Sequence, residues 1–192
     1  MLLRPAERGP RDPPRSASAP RRGTGHSLSR PGSDGGSGLS RAGTPAKPAL
    51  AVTVEGTATG VLVGGILDAI RTEAGAGLPS LKVAILLLEH RRGTGLGEAD
   101  RALTQLPRTG ALDGLHGVAL GQFIGFEQAA NDPSLGGWGI AGLLHGRLTR
   151  LGVSVLGGLP AGHGPRPPTI PLGTSATIDT AAGTLTGQAA VV

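Results

Sequence analysis

From residue 49 onward, short apolar runs alternate with amphipathic stretches. Residues 49–54 (ALAVTV) and 60–63 (GVLV) have the β-branched content of strands, and the second ends at Gly64–Gly65. Residues 66–74 predict a helix, with Ile66, Leu67 and Ile70 on one face and Asp68, Arg71 and Glu73 outside. Gly75 and Gly77 stop it, and Pro79 forbids its resumption. Residues 82–88 (KVAILLL) are continuously apolar after Lys82, as a strand buried on both faces must be. A glycine-bearing loop over 90–97 follows, then a helix over 98–105 with Glu98 and Asp100 in its first turn, where the helix dipole favours acids.

The second half repeats the alternation. Residues 117–122 (GVALGQ) predict a strand, and 123–137 a long loop with a turn at Asn131–Asp132–Pro133. Residues 140–151 predict an amphipathic helix carrying Ile140, Leu143, Leu144 and Leu148 on one side. Residues 153–156 predict a short strand, 161–171 a Gly/Pro-rich loop, and 174–179 with 184–186 a closing hairpin around Ala181–Ala182–Gly183. Helices interleaved with strands argue an α/β domain over residues 49–192, within the usual single-domain range.

Residues 1–48 show neither helical nor strand period and little to bury, so they predict a disordered leader. That segment holds nine Lys and Arg against three acids, whereas residues 49–192 hold nine against ten. The net charge of +5 therefore belongs to the leader, and a basic surface tracking nucleic acid across the domain is not supported. The leader's Arg- and Ser-rich, acid-poor composition suits an organelle transit peptide or a nucleic-acid-binding arm as well as plain disorder. Charge and Pro follow Met1 at once, which predicts no secretory segment, and the longest apolar run falls far short of a membrane span. A cytoplasmic location is expected. The chain has no Cys, which excludes disulfides, thiolate metal sites and a cysteine nucleophile.

Two positions carry candidate chemistry. In α/β sheets, reactive groups gather where strands meet their following loops. Glu89 closes the KVAILLL run, and His163 lies between Gly162 and Gly164, just after VSVLGGLPA. Flanking glycines let the backbone approach a partner closely. A carboxylate accepting from one imidazole nitrogen is the orienter-and-base half of a hydrolytic triad. By spacing alone, a strand-end Glu is more often solvated or salt-bridged, and a loop His more often a surface residue. His90, beside Glu89, is a further candidate, as a ligand or a group at the mouth of the site. Arg91–Arg92 could meet a carboxylate or simply be solvated, and Trp138 could wall a pocket or cap the core. GTGLGEAD (93–100) lacks the Lys–Ser/Thr of a phosphate-binding loop, and the histidines are too dispersed for a local zinc motif.

Taken together, VLVGG (61–65), ILLLEH (85–90), ADRALTQLPRTGALDGLHGVALGQF (99–123), LGVSVLGGLPAGHG (151–164) and PLGTSATID (171–179) resemble the C-terminal part of LD-carboxypeptidases. These are serine peptidases of the muramoyltetrapeptide carboxypeptidase type, a group that also includes microcin-resistance peptidases. The resemblance implies a swivelling β/β/α-type C-terminal domain and no metal or other cofactor. It implies hydrolysis of the terminal D-alanine of murein tetrapeptides during cytoplasmic cell-wall recycling. It also implies a Ser–Glu–His triad, in which Glu89 matches the Glu that ends the apolar strand and His163 the His of the GHG motif. Gly162, Gly164 and His90 flank that site.

Two departures bear on substrate handling: Ile66 stands where the family usually has Asn, and His90 where it usually has Asp. The third is larger. The family's nucleophile lies in an N-terminal domain, and no nucleophile is expected in this chain, because residues 1–48 are too few to bury a core. Ser33–Asp34 echoes the family's Ser–Asp dipeptide without a strand before it or a helix after it. The resemblance thus implies half an active site, completed by a separately encoded nucleophile domain or by the rest of a longer protein of which this sequence is an incomplete record; a homodimer is the other partner arrangement it leaves open. The alternatives are a non-catalytic remnant and a binding module with a basic leader.

Overall fold

The structure is a computed structural model and describes residues 36–40, 52–91, 95–126 and 137–188. Among these residues, eight strands and three helices follow one another as β1 (Gly36–Ser40), β2 (Thr53–Val54), β3 (Thr57–Ile66), α1 (Leu67–Glu73), β4 (Ala84–Arg91), α2 (Leu96–Arg108), β5 (Gly117–Ile124), α3 (Ile140–Leu148), β6 (Ser154–Leu156), β7 (Ser175–Asp179) and β8 (Thr184–Gln188). A 3-10 turn, Thr149–Leu151, extends α3 and ends at Gly152 in the left-handed conformation. All the strands join one sheet in the order β1-β8-β7-β3-β4-β5-β6-β2.

Strands β3, β4, β5 and β6 run parallel. The crossovers between them carry the three helices, and all three pack on the same face. Leu67 and Ile70 of α1, Ala99, Leu103 and Leu106 of α2, and Ile140, Leu143 and Leu144 of α3 share one core with Leu86, Leu88, Val118 and Leu120. The opposite face carries a smaller core without helices, built from Leu62, Ile85, Leu87, Ala119, Leu156, Leu159, Ala176, Ile178 and Leu185. Alternate residues of β4 feed the two cores, which is why residues 84–88 (AILLL) are apolar at every position.

The second core exists because the sheet curls. Only Glu55 and Gly56 separate β2 from β3, although β2 lies four positions along the sheet from β3. In a flat sheet that offset is roughly 19 Å, at about 4.8 Å per strand, whereas the connection reaches about 11 Å. The sheet therefore bends towards closure. The bend lays the β2–β3 link against β6, where a β-carbon at Gly56 would collide with Ser154 Oγ. On its other side the Gly56 amide donates to Thr180 Oγ1 at 2.9 Å and the Thr180 hydroxyl donates to Gly56 O at 3.0 Å, continuing the pairing of β3 with β7. A β-carbon at Gly117 would lie 3.1 Å from that of Ala58 and 3.2 Å from Ile178, so β5 meets β3 and β7 across the concave side.

The predicted α/β alternation is the observed one, with boundaries that differ instructively. Strand β3 starts at Thr57 and runs through the glycine pair, so Ile66 ends a strand instead of starting a helix. Strand β4 runs on to Arg91, so Glu89 and His90 lie within it and not at its exit. Helix α2 is longer at both ends than the predicted 98–105, and Pro107 sits in its last turn. The hairpin of β7 and β8 turns at Gly183, φ 67°. In the segment read as a leader, Gly36–Ser40 add an edge strand antiparallel to β8. Backbone pairing needs no apolar period, so GSGLS gave no sign of it. The remainder of 1–48, with Ser33–Asp34, lies outside the described residues, as do Arg92 and the turn at Asn131–Asp132–Pro133.

Candidate active site

The site is assembled at the carboxyl ends of the parallel strands, on the concave face. Strand β4 delivers Glu89 there, in register with Ile66 of β3. On its other side the ladder slips: Leu88 pairs with Leu120, but His90 pairs with Phe123. Two residues of β5, Gly121 and Gln122, thus stand opposite the single Glu89, a bulge that re-aims the side chains around it. Gly121 is small for a reason. A β-carbon there would lie 2.6 Å from Ala161 O and 3.1 Å from the β-carbon of Glu89.

The chain leaving β6 then returns across this point. Leu159 N donates to Leu120 O at 3.0 Å, and Gln122 N donates to Ala161 O at 2.8 Å, so the loop is stitched to β5 on both sides of Gly121. Gly162 follows with φ 103°, a conformation that favours glycine. It passes so close to Glu89 that an added β-carbon would meet Oε2 at 2.7 Å and Cβ at 2.9 Å. The next residue, His163, places Nδ1 2.7 Å from Glu89 Oε2, closing a contact over 74 positions of sequence.

The two partners differ sharply in environment. Glu89 is buried, while 43 % of the His163 side chain is exposed. A carboxylate has no proton to give, so Nδ1–H donates and Nε2 is left as the free, basic nitrogen. Such an imidazole accepts a proton from a group brought against its open edge, and the buried carboxylate stabilises the cation that forms. Both sequence-derived catalytic candidates, Glu89 and His163, are thus in contact, with Gly162 and Gly164 framing the histidine.

His90 occupies a different place from the one expected. It is 1 % exposed and lies on the helix-side face, its ring 5.6 Å from that of Phe126 and 6.3 Å from that of Phe123. Alternation along β4 sends it away from Glu89, so it does not form the mouth of the site. Among the described residues neither ring nitrogen has a hydrogen-bond partner, and Asp68 Oδ2 stands 3.8 Å from Nε2. Burial holds the His90 pKa below its ordinary value, against the opposing pull of Asp68 and Glu89.

Of the other candidates, His116 and His145 are exposed, the first with Nδ1 3.0 Å from Thr59 O. Trp138 is 41 % exposed and borders a hollow with Asp100, Arg147 and Arg150, so it does not cap the core. Among the described residues, no three His, Asp or Glu side chains are grouped to hold a metal, and no helix is long and apolar enough to cross a membrane. Gln122 was not foreseen as part of the site. It is buried, and a β-carbon at Gly164 would lie 1.7 Å from its Oε1. The only sequence signal was a polar residue at the end of an apolar strand.

Residues 59–178 match the family described as the LD-carboxypeptidase C-terminal domain. A Streptomyces coelicolor protein, named a carboxypeptidase by inference, is 35 % identical over 150 residues, which are 77 % of this chain and 43 % of that protein. A Synechocystis protein with the same kind of name is 41 % identical over 86 residues, 45 % of this chain and 28 % of that one. The chain thus spans less than half the length of these curated relatives. Among solved structures, muramoyltetrapeptide carboxypeptidase from Oxalobacter formigenes shares the fold, with a TM-score of 0.66 at 23 % identity over 82 % of this chain and 51 % of that one. An MccF-like protein from Bacillus anthracis superimposes with a TM-score of 0.58 at 25 % identity over 71 % of this chain and 42 % of that one.

Proposed function

The chain belongs to the LD-carboxypeptidase family through the C-terminal domain that residues 59–178 match, and from that premise we propose that it supplies the base half of a serine peptidase site. The observation that carries the proposal is the 2.7 Å contact between His163 Nδ1 and the buried Glu89 carboxylate. The substrate is a murein peptide ending in D-alanine, hydrolysed in cytoplasmic recycling of the cell wall. The nucleophilic serine comes from the part of the family's proteins that this chain does not span.

In this reading, His163 Nε2 removes the hydroxyl proton of the serine as its oxygen bonds to the substrate carbonyl carbon. Glu89 keeps Nδ1 protonated and balances the imidazolium charge. The imidazolium then returns the proton to the amine of the departing D-alanine as the C–N bond breaks. Water, deprotonated in turn by Nε2, hydrolyses the acyl-enzyme. No step needs a metal.

The test is D-alanine release from a muramoyl tetrapeptide, followed by mass spectrometry. The chain would be assayed alone and mixed with the remaining portion of the Streptomyces coelicolor relative. Release is expected in the mixture and is lost in His163→Ala and Glu89→Ala. Release that survives His163→Ala in a folded chain would overturn the assignment.

A further inference from the structure

We propose that Gln122 is a positioning residue for His163: it clamps the loop on both sides of the histidine and so fixes the imidazole against Glu89. The inference rests on the reading of Glu89 and His163 as the base half of the site, and it adds a residue to that machinery.

The geometry is specific. Through its backbone, Gln122 donates to Ala161 O at 2.8 Å, two residues before His163. Through its side chain, it lies against Gly164, one residue after: a β-carbon there would fall 1.7 Å from Oε1, 2.4 Å from Cδ and 2.5 Å from Nε2. The whole carboxamide is thus laid across the Gly164 backbone. The bulge opposite Glu89 places it there, since β5 spends two residues, Gly121 and Gln122, where β4 spends one.

The loop needs such a clamp. Residues 157–174 contain no helix or strand, and Arg166 within them has φ 53°. No backbone ladder fixes the direction in which His163 leaves the chain after the left-handed Gly162. The ring is held by its own hydrogen bond to Glu89, by the contact of Gly162 with Glu89, and by the floor that Gln122 provides under Gly164. A hydrogen bond to one ring nitrogen orients the imidazole only while its backbone anchor is fixed within a few tenths of an ångström. Removing that floor frees Gly164 to sink and the His163 ring to swing off Oε2.

The test uses the full chain and reads the imidazole itself. Proton–nitrogen correlation spectra at a pH where His163 is neutral report which ring nitrogen carries hydrogen. Wild type is expected to show Nδ1–H as the dominant form. Gln122→Ala removes the floor under Gly164, and it should lose that dominance in favour of the Nε2–H form while circular dichroism is unchanged. Gln122→Met, which keeps the length and volume of the side chain, should restore most of it. A Gln122→Ala spectrum identical to wild type would overturn the proposal.

A second pair of variants guards against misfolding. Gly164→Ala drives a methyl into Oε1 and should disorder His163. The same change in a Gln122→Ala background has room for the methyl and should cost little. Equal effects of Gly164→Ala in both backgrounds would also overturn the clamp. Failure of the underlying reading looks different: wild type itself would then lack the Nδ1–H form.

Discussion

Glu89 and His90 are neighbours along β4 but serve opposite faces of the sheet. Glu89 enters the concave side and meets His163 at 2.7 Å, whereas His90 is sealed among Phe123, Phe126 and the helices. One strand thus carries the proposed orienting carboxylate and, one residue later, a buried imidazole with no hydrogen-bond partner among the described residues, whose pKa burial lowers. Each position has a distinct experimental signature.

The first concerns acid stability. Burial lowers the His90 pKa; Asp68 on α1 and the adjacent Glu89 oppose that shift, while His163 reinforces it. A folded-state pKa below the unfolded value of about 6.5 means that the unfolded chain binds more protons in that window. The stability is therefore complete above about pH 6.5 and is lost as pH falls towards the folded value. His90→Leu removes the titrating group and keeps an apolar side chain between the phenylalanines. Its melting temperature should fall less than that of wild type between pH 7 and pH 5. Parallel curves for the two proteins would show that His90 contributes nothing to acid sensitivity.

The second concerns the carboxylate. Glu89→Gln preserves shape but replaces an obligate acceptor with a group that both donates and accepts. The amide can turn its NH2 to the ring, which then presents a protonated Nε2 to the nucleophile. In serine peptidases generally, the equivalent exchange lowers kcat by roughly 10⁴-fold. A loss of that order in reconstituted D-alanine release is expected, with KM little changed. A loss under tenfold would argue that Glu89 is not the orienting group.

The third concerns the glycine before the histidine. Gly162→Ala has to place a β-carbon at φ 103° and 2.7 Å from Glu89 Oε2. Holding such a conformation costs about 1–3 kcal/mol, and the collision adds to it. Melting should drop by several degrees, with the Nδ1–H form of His163 lost at the same time. An alanine variant with wild-type melting would show that the loop relaxes freely, contrary to its anchoring at Leu159 and Ala161.

How much of this was legible in the sequence follows from the range of each interaction. The apolar period over 82–88 announced a strand buried on both faces, and Ile140, Leu143, Leu144 and Leu148 announced α3, because burial of near neighbours leaves a local pattern. Glu89 and His163 were visible as residue types at strand ends and in the resemblance of ILLLEH and GLPAGHG. Their contact, across 74 positions, has no local trace. The extension of β4 through Glu89, His90 and Arg91 was missed because polar residues inside a strand resemble a loop start. The bulge at Gly121–Gln122 depends on register between two strands, which no single segment encodes. The curl that creates the second core is dictated by the two-residue link between β2 and β3, once their places in the sheet are known.

The last prediction tests a strained turn away from the site. Val83 enters β4 with φ 60°, in the left-handed region that a β-branched side chain adopts at a cost of roughly 1–2 kcal/mol. Its amide donates to Gly114 O at 2.8 Å, and its carbonyl oxygen lies 2.3 Å from where a β-carbon at Gly60 would be, so the backbone is held on both sides. The side chain is 50 % exposed and contributes little packing. Val83→Gly removes the steric penalty but adds freedom to the unfolded chain, which offsets part of the gain. A net stabilisation of about 1 kcal/mol is expected, raising the melting temperature by about 2–4 °C for a domain of this size. Val83→Ala keeps the β-carbon that causes the strain and should gain much less. Equal melting temperatures for Val83→Gly, Val83→Ala and wild type would mean that this turn stores no strain.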